Sequence, residues 1–339
     1  MAADAETLTI PGPDGARSIR LTSGDRDVFP GVTKRDLVDY LLAVSEPFLR
    51  INGDRPVALQ RFRGGLEGEE FFSKNPPKGT PDFFRTVDVT FPSRRVHPML
   101  VFDEPAELAW AVQMGTVVFH PWPSRAADTD HPDQLRLDLD PQPGTGFAEA
   151  VPAAHELRSV LEEAGLAAFV KTSGNRGIHV FAPIAPEWDF IDVRHAAIAA
   201  ARELERRMPQ QVTTAWWKEE RGERIFVDFN QTARDRTIAG AYSTRALPHA
   251  PVSTPLEWDE LTDASPRDLT VRTVPALLER RGDPWARFHE RPGRLDALLE
   301  WWERDVASGQ GEMPYPPEYP KMPGEPMRVQ PSRAKKPAE

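Results

Sequence analysis

Cysteine is absent from this sequence of 339 residues. Its absence excludes disulfide bonds, thiolate zinc sites and cysteine nucleophiles. No apolar run approaches the roughly eighteen residues that a membrane-spanning helix needs, and the acidic first residues contain no apolar segment of a secretory signal. We therefore expect a globular, cytoplasmic protein that makes no contact with a membrane.

An excess of basic residues is missing as well. Asp and Glu outnumber Lys and Arg by 52 to 42, which gives a net charge of −10. This balance excludes a protein that coats nucleic acid through its overall positive charge. It leaves open an enzyme whose basic residues are clustered, because affinity depends on where the cations lie.

Proline, by contrast, is abundant: the 35 prolines are about twice the usual share. Many lie in segment 306–339, which has no periodic apolar pattern, so we expect an extended or disordered tail there. The length leaves room for about two domains before the tail. We expect an N-terminal α/β module over residues 1–125 and a second module over residues 126–305.

Apolar periodicity predicts the elements of both modules. In the first module, a helical stripe over residues 37–49 follows Thr33, a suitable N-cap, and a helix over 107–113 precedes a strand over 116–120. The second module is predicted to contain strands over 135–140, 167–171, 178–184 and 224–230, with helices over 147–164 and 190–208. Their order, β-α-β-β-α-β, is typical of ferredoxin-like and RRM-like folds, so we predict the α+β class.

Three aspartates lie on the first and last strands of this second module. Period-two alternation puts Asp138 and Asp140 on one face of the first strand, and Asp228 lies on the last strand. Those two strands can lie close together, and clustered carboxylates suit hard cations in a two-metal site for phosphoryl or nucleotidyl transfer. The alternative is three solvated residues, but Asp is unfavourable in strands, which weakens that interpretation for the trio.

A polar turn, Ser173-Gly-Asn-Arg-Gly177, joins the two middle strands, and His179 follows it. Its glycines and donors could hold a phosphate, although an ordinary hairpin turn would have the same composition. Segment 171–245 contains 12 Lys and Arg against 10 Asp and Glu, and several of these cations flank the last strand. A bound triphosphate would need such cations, whereas the alternative is a solvated charged surface.

Three motifs together carry a resemblance to a known family. LDLDP (137–141), TSGNRGIHV (172–180) and IFVDFNQ with TIAGAYSTR (225–231 and 237–245) resemble the archaeo-eukaryotic primase superfamily. The similarity is greatest to the polymerase domain of bacterial ligase D and its stand-alone actinobacterial, ligase C-associated primase-polymerase relatives, and it extends over residues 18–305. The resemblance implies that the RRM-like catalytic module packs against the N-terminal module, with the active site in the cleft between them.

The resemblance also implies roles for individual residues. Asp138, Asp140 and Asp228 match the catalytic metal ligands. The nucleotide contacts would be His120, Ser173, Arg176, His179, Arg221, Gln231, Arg236, Ser243 and Arg245. On the DNA side, Arg26 and Lys34 match a pair that grips a 5′-phosphate, and Phe71 and Phe72 match a pair that stacks on the template, with Lys74 nearby. A buried core pair is the alternative for the two phenylalanines. Arg26, Arg176 and Arg236 stand where ligase D usually has Lys, so the grip on phosphate is expected to differ.

The expected function is that of a DNA-directed nucleotidyltransferase that fills short gaps during DNA repair, by non-homologous end joining or excision repair. The resemblance implies two Mn²⁺ or Mg²⁺ ions, NTP or dNTP substrates with a preference for ribonucleotides (ATP included), and a gapped or broken duplex with a 5′-phosphate. It further implies a monomer acting at the nucleoid with a separate ATP-dependent DNA ligase, and with Ku as a further partner. A metal-dependent nuclease or phosphohydrolase and a non-catalytic RRM-like binding module are the alternatives.

Overall fold

Two β-sheets, each covered by helices, form the body of the molecule. The computed structural model describes residues 5–91, 93–234 and 236–314, so the predicted tail beyond residue 314 lies outside the described residues. Among those residues, no helix is both long and apolar enough to cross a membrane.

The strands of the N-terminal lobe are β1 (Ala5–Ile10), β2 (Arg17–Thr22), β3 (Asp27–Phe29), β4 (Val32–Thr33), β5 (Pro56–Arg63), β6 (Glu69–Ser73), β7 (Arg85–Thr90), β8 (Val96–Val101) and β9 (Thr116–Pro121). The helices of this lobe are α1 (Lys34–Ala43), α2 (Ser45–Asn52) and α3 (Pro105–Gln113). The last five strands form an antiparallel sheet in which β5 pairs with β6, β8 and β9, and β8 pairs with β7. A short hairpin of β10 (Ser124–Arg125) and β11 (Asp128–Pro132) leads to the second lobe.

Thr33 is the N-cap of α1, as the sequence predicts. Its side-chain oxygen accepts from the Asp36 N–H at 3.1 Å, and the Asp36 carboxylate accepts from the Thr33 N–H at 2.8 Å. This reciprocal capping box satisfies two of the N–H groups that a helix start leaves unpaired. The predicted apolar stripe is divided at Val44, so that two helices cover the residues expected for one.

The second lobe contains β12 (Gln134–Pro141), α4 (Phe147–Glu163), β13 (Phe169–Thr172), β14 (Ile178–Pro183), α5 (Phe190–Arg207), β15 (Val212–Thr213), β16 (Ile225–Asp228), β17 (Pro255–Leu256), α6 (Val274–Arg281) and α7 (Asp296–Ala307). Its six-stranded sheet has the order β15-β16-β12-β14-β13-β17. The central four strands are the fourth, first, third and second of the predicted unit. This antiparallel arrangement is the ferredoxin-like one that the sequence predicts, and the α+β class is confirmed.

The two faces of this sheet have different environments. Leu135, Leu137 and Leu139 of β12 are fully buried in one apolar cluster with residues of α4 and α5. The residues that alternate with them, among them Asp138 and Asp140, face the opposite side of the strand. Strand alternation therefore directs the carboxylates away from the helices and toward the N-terminal lobe.

The last predicted strand is shorter than expected. It ends at Asp228 instead of continuing to Asn230, because the Asp228 carboxylate accepts from the Asn230 N–H at 2.9 Å and starts a 3-10 helix, Phe229–Thr232. An Asp side chain that bonds to nearby backbone competes with the strand ladder in this way. The predicted alternation therefore fails for Asn230, which is 3% exposed.

Between β16 and β17 the chain returns to the first lobe over residues 236–254, which we call the returning segment. Ile238, Tyr242 and Trp285 lie in the same apolar cluster as Phe48 and other residues of the N-terminal lobe. The hydroxyl of Tyr40 donates to the Tyr242 carbonyl oxygen at 2.7 Å. This returning segment fastens the lobes together and closes one side of the cleft between them.

Candidate active site

A cavity of about 220 Å³ lies in the cleft between the two lobes. Eight of the residues singled out from the sequence line it: His120, Asp138, Asp140, Ser173, Arg176, His179, Gln231 and Arg245. The lining is completed by Asn175, Gly177, Thr237, Ile238 and Ala239. Strand β9, the second sheet and the returning segment thus each contribute one wall.

The three aspartates are neighbours across two paired strands. Asp138 of β12 lies directly opposite Asp228 of β16, and Asp140 lies two residues further along β12. Burial, followed by the charges of Asp228 and Asp140, raises the pKa of Asp138 well above its usual range. Burial also raises the pKa of Asp140, with a further contribution from Asp228, against the hydrogen bond from Gln142. Such mutual repulsion is relieved when a cation binds.

Two of the three carboxylates accept hydrogen bonds from nearby residues. Asp228 accepts from the Asn230 N–H and from Gln231 Nε2, both at 2.9 Å, and Asp140 accepts from Gln142 Nε2 at 3.2 Å. Over residues 5–91, 93–234 and 236–314, no three His, Asp or Glu side chains are already arranged to hold a metal ion. The oxygen donors nevertheless match the preference of Mg²⁺ and Mn²⁺.

The polar turn after β13 closes tightly on itself. Ser173 Oγ accepts from the Gly177 N–H at 3.1 Å and from the Asn175 N–H at 3.2 Å. Gly174 has φ +75°, and a Cβ on it would lie 2.5 Å from Arg245 Cγ. A Cβ on Gly177 would lie 2.8 Å from the Leu139 carbonyl oxygen. Both glycines are therefore required for this turn to fit against the cavity wall.

Buried basic side chains surround the carboxylates. Burial and the charge of Arg245 lower the pKa of His120 to about 3. Burial, followed by the charges of Lys171 and Arg245, lowers the pKa of His179 well below its usual range. Both imidazoles are consequently neutral at physiological pH. Lys171 on β13 is also buried, with 0% of its surface exposed. The sequence does not single it out as a site residue, because its neighbours indicate only a strand residue beside the turn.

Other expected nucleotide contacts lie outside the cavity lining. The Arg221 guanidinium lies 3.4 Å from the Phe226 ring centroid and donates to the carbonyl oxygens of Ala215 and Trp216. The Ser243 hydroxyl is fully buried, where it accepts from the Phe119 N–H at 2.9 Å. Arg236 is half-buried. Their roles toward a nucleotide stay predictions.

The two phenylalanines expected to contact a template differ in exposure. Phe72 on β6 is 54% exposed, and its ring centroid lies 5.5 Å from that of His120. Phe71 is covered by the guanidinium of Arg61, 4.8 Å from the ring centroid. The alternative that Phe71 and Phe72 form a buried core pair is therefore wrong for Phe72. Lys74 lies above the Phe91 ring at 4.8 Å.

The expected 5′-phosphate pair is split between surface and interior. Arg26 is exposed, whereas Lys34 is 4% exposed and donates from Nζ to the Thr22 carbonyl oxygen at 2.7 Å and to Gln113 Oε1 at 3.3 Å. Burial and the charge of Arg26 lower the pKa of Lys34 to about 8. A phosphate at Lys34 would have to compete with these internal hydrogen bonds.

Comparison with known proteins points to one family. The family model described as "LigD, primase-polymerase domain" matches residues 33–285 of this chain. The chain is 30% identical over 318 residues to the multifunctional non-homologous end joining protein LigD of Mycolicibacterium smegmatis. This alignment covers 91% of this chain and 41% of that protein. It is 32% identical over 290 residues to LigD of Pseudomonas aeruginosa, which covers 83% of this chain and 34% of that protein. The chain therefore spans less than half the length of these curated relatives.

The fold is similar to a solved structure as well. The polymerase domain from Mycobacterium tuberculosis ligase D, in complex with DNA, matches with a TM-score of 0.76 and 29% identity, covering 81% of this chain and 99% of that chain. The resemblance seen in the sequence motifs is confirmed.

Proposed function

Because the chain belongs to the LigD primase-polymerase domain family, we propose that it is a nucleotidyltransferase of DNA repair that extends a primer across a short gap. The observation that carries this proposal is the cavity itself, where Asp138 and Asp140 face the turn containing Ser173 and Arg176. Paired carboxylates opposite a polar turn suit the transfer of a nucleotide from its triphosphate. A preference for ribonucleotides is part of the proposal.

Asp138, Asp140 and Asp228 would hold the metal ions. Bound Mn²⁺ or Mg²⁺ would supply Lewis acidity toward the primer 3′-hydroxyl and the triphosphate. Their donor chemistry fits, and a metal ion would compete for these carboxylates with the hydrogen bonds that Gln142 and Gln231 make to Asp140 and Asp228. This competition makes metal affinity sensitive to those two amides.

The remaining cavity residues would bind and orient the nucleotide. Arg176 and Arg245 would supply positive charge toward the triphosphate. The primer 3′-hydroxyl would lose its proton to solvent, and its oxygen would form a bond to the α-phosphorus while the bond between that phosphorus and the bridging oxygen breaks, so that pyrophosphate leaves. Preorganised cations stabilise the negative charge that develops in this step.

The N-terminal lobe would hold the DNA. Phe72 offers an exposed ring near the cavity, and stacking on such a ring tolerates any template base. Arg26 and Lys34 would contact a 5′-phosphate across the gap, with Phe71 and Lys74 supporting the template. We further propose that the protein acts as a monomer in the cytoplasm, at the nucleoid, with sealing by a separate ATP-dependent DNA ligase and with Ku as a partner.

A primer-extension assay on a gapped duplex with a downstream 5′-phosphate tests the proposal. The wild-type protein, supplied with Mn²⁺, is compared with the double variant Asp138→Asn/Asp140→Asn using ribonucleotides or deoxyribonucleotides. We expect extension by the wild type, greater with ribonucleotides, and none by the variant. Shortening of the primer would instead favour a nuclease, and bound but unchanged DNA would favour a binding module.

A second experiment tests the metal site without activity. Mn²⁺ should raise the thermal midpoint of the wild type, because a ligand that binds only the folded state stabilises it by about 2.7 kcal/mol at a concentration of 100 times Kd. The double variant should show no increase. An equal increase in both proteins would place the ion elsewhere.

A further inference from the structure

Residues 310–314, which we call the C-terminal segment, are fastened to α5 by hydrogen bonds. Arg202 of α5 donates to two carbonyl oxygens of this segment, at 3.0 and 2.6 Å. Arg194, about two turns nearer the start of the helix, donates to the Met313 carbonyl oxygen at 2.6 Å. The proposed reaction uses neither arginine.

Arg194 is a buried cation whose counter-charge comes from the C-terminal segment. Only 1% of its surface is exposed. Its Nη1 donates to the Glu312 carboxylate at 2.9 Å, and that carboxylate also contacts the imidazole of His195. A buried charge is tolerated when it is paired and hydrogen-bonded, so α5 and the C-terminal segment hold each other in place.

The same guanidinium also contacts the 3-10 helix Phe229–Thr232. Its Nε donates to Asn230 Oδ1 at 3.0 Å, and its central carbon lies 5.4 Å from the Phe229 ring centroid. Because a guanidinium has donors and no acceptor, the direction of this hydrogen bond is fixed, and the oxygen of the Asn230 amide faces Arg194. One side chain therefore joins the C-terminal segment to this 3-10 helix.

The 3-10 helix in turn holds the Asp228 carboxylate. The Asn230 N–H and Gln231 Nε2 both donate to it at 2.9 Å. A shift of this short helix would therefore turn the Asp228 oxygens away from their place opposite Asp138. We propose that Arg194 is a positioning residue which, supported by the C-terminal segment, holds the 3-10 helix and so fixes the Asp228 carboxylate.

The expected consequence is a change in metal affinity. Groups that orient a metal ligand from behind typically contribute 10–100-fold to affinity. This consequence rests on the proposed function, because it takes Asp228 to be a metal ligand, whereas the hold on the 3-10 helix does not. If Arg194 only anchored the C-terminal segment, its loss would lower stability and leave metal affinity unchanged.

Arg194→Met in the full chain tests the proposal, because it keeps an unbranched side chain and removes every donor. Hydrogen exchange followed by mass spectrometry, without metal, should show faster exchange of the amides of residues 229–232. Electron paramagnetic resonance of free Mn²⁺ should show an increase of about tenfold in Kd at the site that Asp138→Asn/Asp140→Asn removes. Raising the Mn²⁺ concentration should then restore primer extension.

Arg207→Met is the matched control. Arg207 lies in the last turn of α5, about 20 Å along the helix from Arg194, and it makes ion pairs with Glu156, Glu163 and Glu203. Its loss should lower the thermal midpoint but leave the Mn²⁺ Kd and the exchange at residues 229–232 unchanged. Equal changes in both variants would indicate a general loosening of α5 and would overturn the proposal.

Glu312→Ala tests the part of the C-terminal segment, and it serves even where Arg194→Met does not fold, because the Glu312 side chain is 37% exposed. It should speed exchange at residues 229–232 and raise the Mn²⁺ Kd, each less than Arg194→Met does. Unchanged exchange in this variant or in folded Arg194→Met would overturn the proposal, and so would faster exchange with an unchanged Kd.

The two measurements also separate this proposal from the proposed function. A wild-type protein that binds no Mn²⁺ at Asp138 and Asp140 would count against the proposed function. The exchange rates require neither metal nor turnover, so they would still decide whether Arg194 holds the 3-10 helix.

Discussion

The two sheets that meet at the cavity present opposite kinds of surface to it. On the second sheet, Lys171 and His179 are 0% and 2% exposed and hydrogen-bonded to each other. On the N-terminal sheet, Phe72 is 54% exposed, and its ring lies beside that of His120. Polar groups that must be oriented before a reaction are best buried, whereas a ring that stacks on any base works at the surface.

The two lobes also differ in how they treat a buried carboxylate. Glu107 in the N-terminal lobe is 1% exposed and accepts from the backbone N–H groups of Asp103 and Glu104. Asp138 in the second lobe lies opposite another carboxylate instead. The first carboxylate completes a helix cap, while the second is left in repulsion that a ligand would relieve. This contrast separates a structural carboxylate from one that we propose binds a metal ion.

Asp228→Asn should have the largest effect. We expect primer extension to fall by about a thousandfold, because the amide keeps the side-chain shape but loses the charge needed to hold a cation. DNA affinity, measured by fluorescence anisotropy on the same gapped duplex, should stay within about twofold, since the residues that we propose stack on the template lie on the other lobe. Retained extension would remove Asp228 from the site and weaken the contrast between the lobes.

Glu107→Gln tests the carboxylate of the other lobe. Burial raises the pKa of Glu107 to about 7, against the backbone hydrogen bonds from Asp103 and Glu104. A raised folded-state pKa gives stability that is complete below the unfolded-state pKa and is lost as pH rises through about 7. The wild-type free energy of unfolding should therefore fall over this window, and Glu107→Gln should remove up to about 3 kcal/mol of that fall.

Urea denaturation at several pH values measures this effect. Glu149→Gln is the matched control, because Glu149 accepts from the Gly146 N–H at the start of α4 in the same way but is exposed. It should leave the pH dependence unchanged. Primer extension by Glu107→Gln should equal that of the wild type at a temperature where both are folded, and reduced extension would contradict a purely structural role.

Phe72→Ala should have the smallest effect. Loss of one exposed stacking ring should weaken template binding by about tenfold, within the 1–3 kcal/mol typical of a base stacked on an aromatic ring. Stability should change little, because the side chain is 54% exposed. Val306→Ala on α7, another exposed apolar residue at 46%, is the control and should leave affinity unchanged. An equal loss in both variants would show that Phe72 is no special contact.

The sequence by itself determined the local features of this protein. Alternation on β12 separated three buried leucines from the two aspartates, and the hydroxyl of Thr33 before an apolar stripe predicted the start of α1. The β-α-β-β-α-β order and the three motifs led to the family. Such patterns are readable because the periods of strands and helices are local properties of the chain.

The tertiary structure decided what depends on contacts between distant segments. Pairing of β12 with β16 set Asp138 opposite Asp228, and packing of the returning segment around Tyr242 closed the cavity. Pairing of β13 with β14 set Lys171 opposite His179, where the two side chains are hydrogen-bonded. Packing of the N-terminal lobe buried Lys34, whose ammonium group donates to internal acceptors. Register and burial arise only when elements far apart in the chain come together, and no local period encodes them.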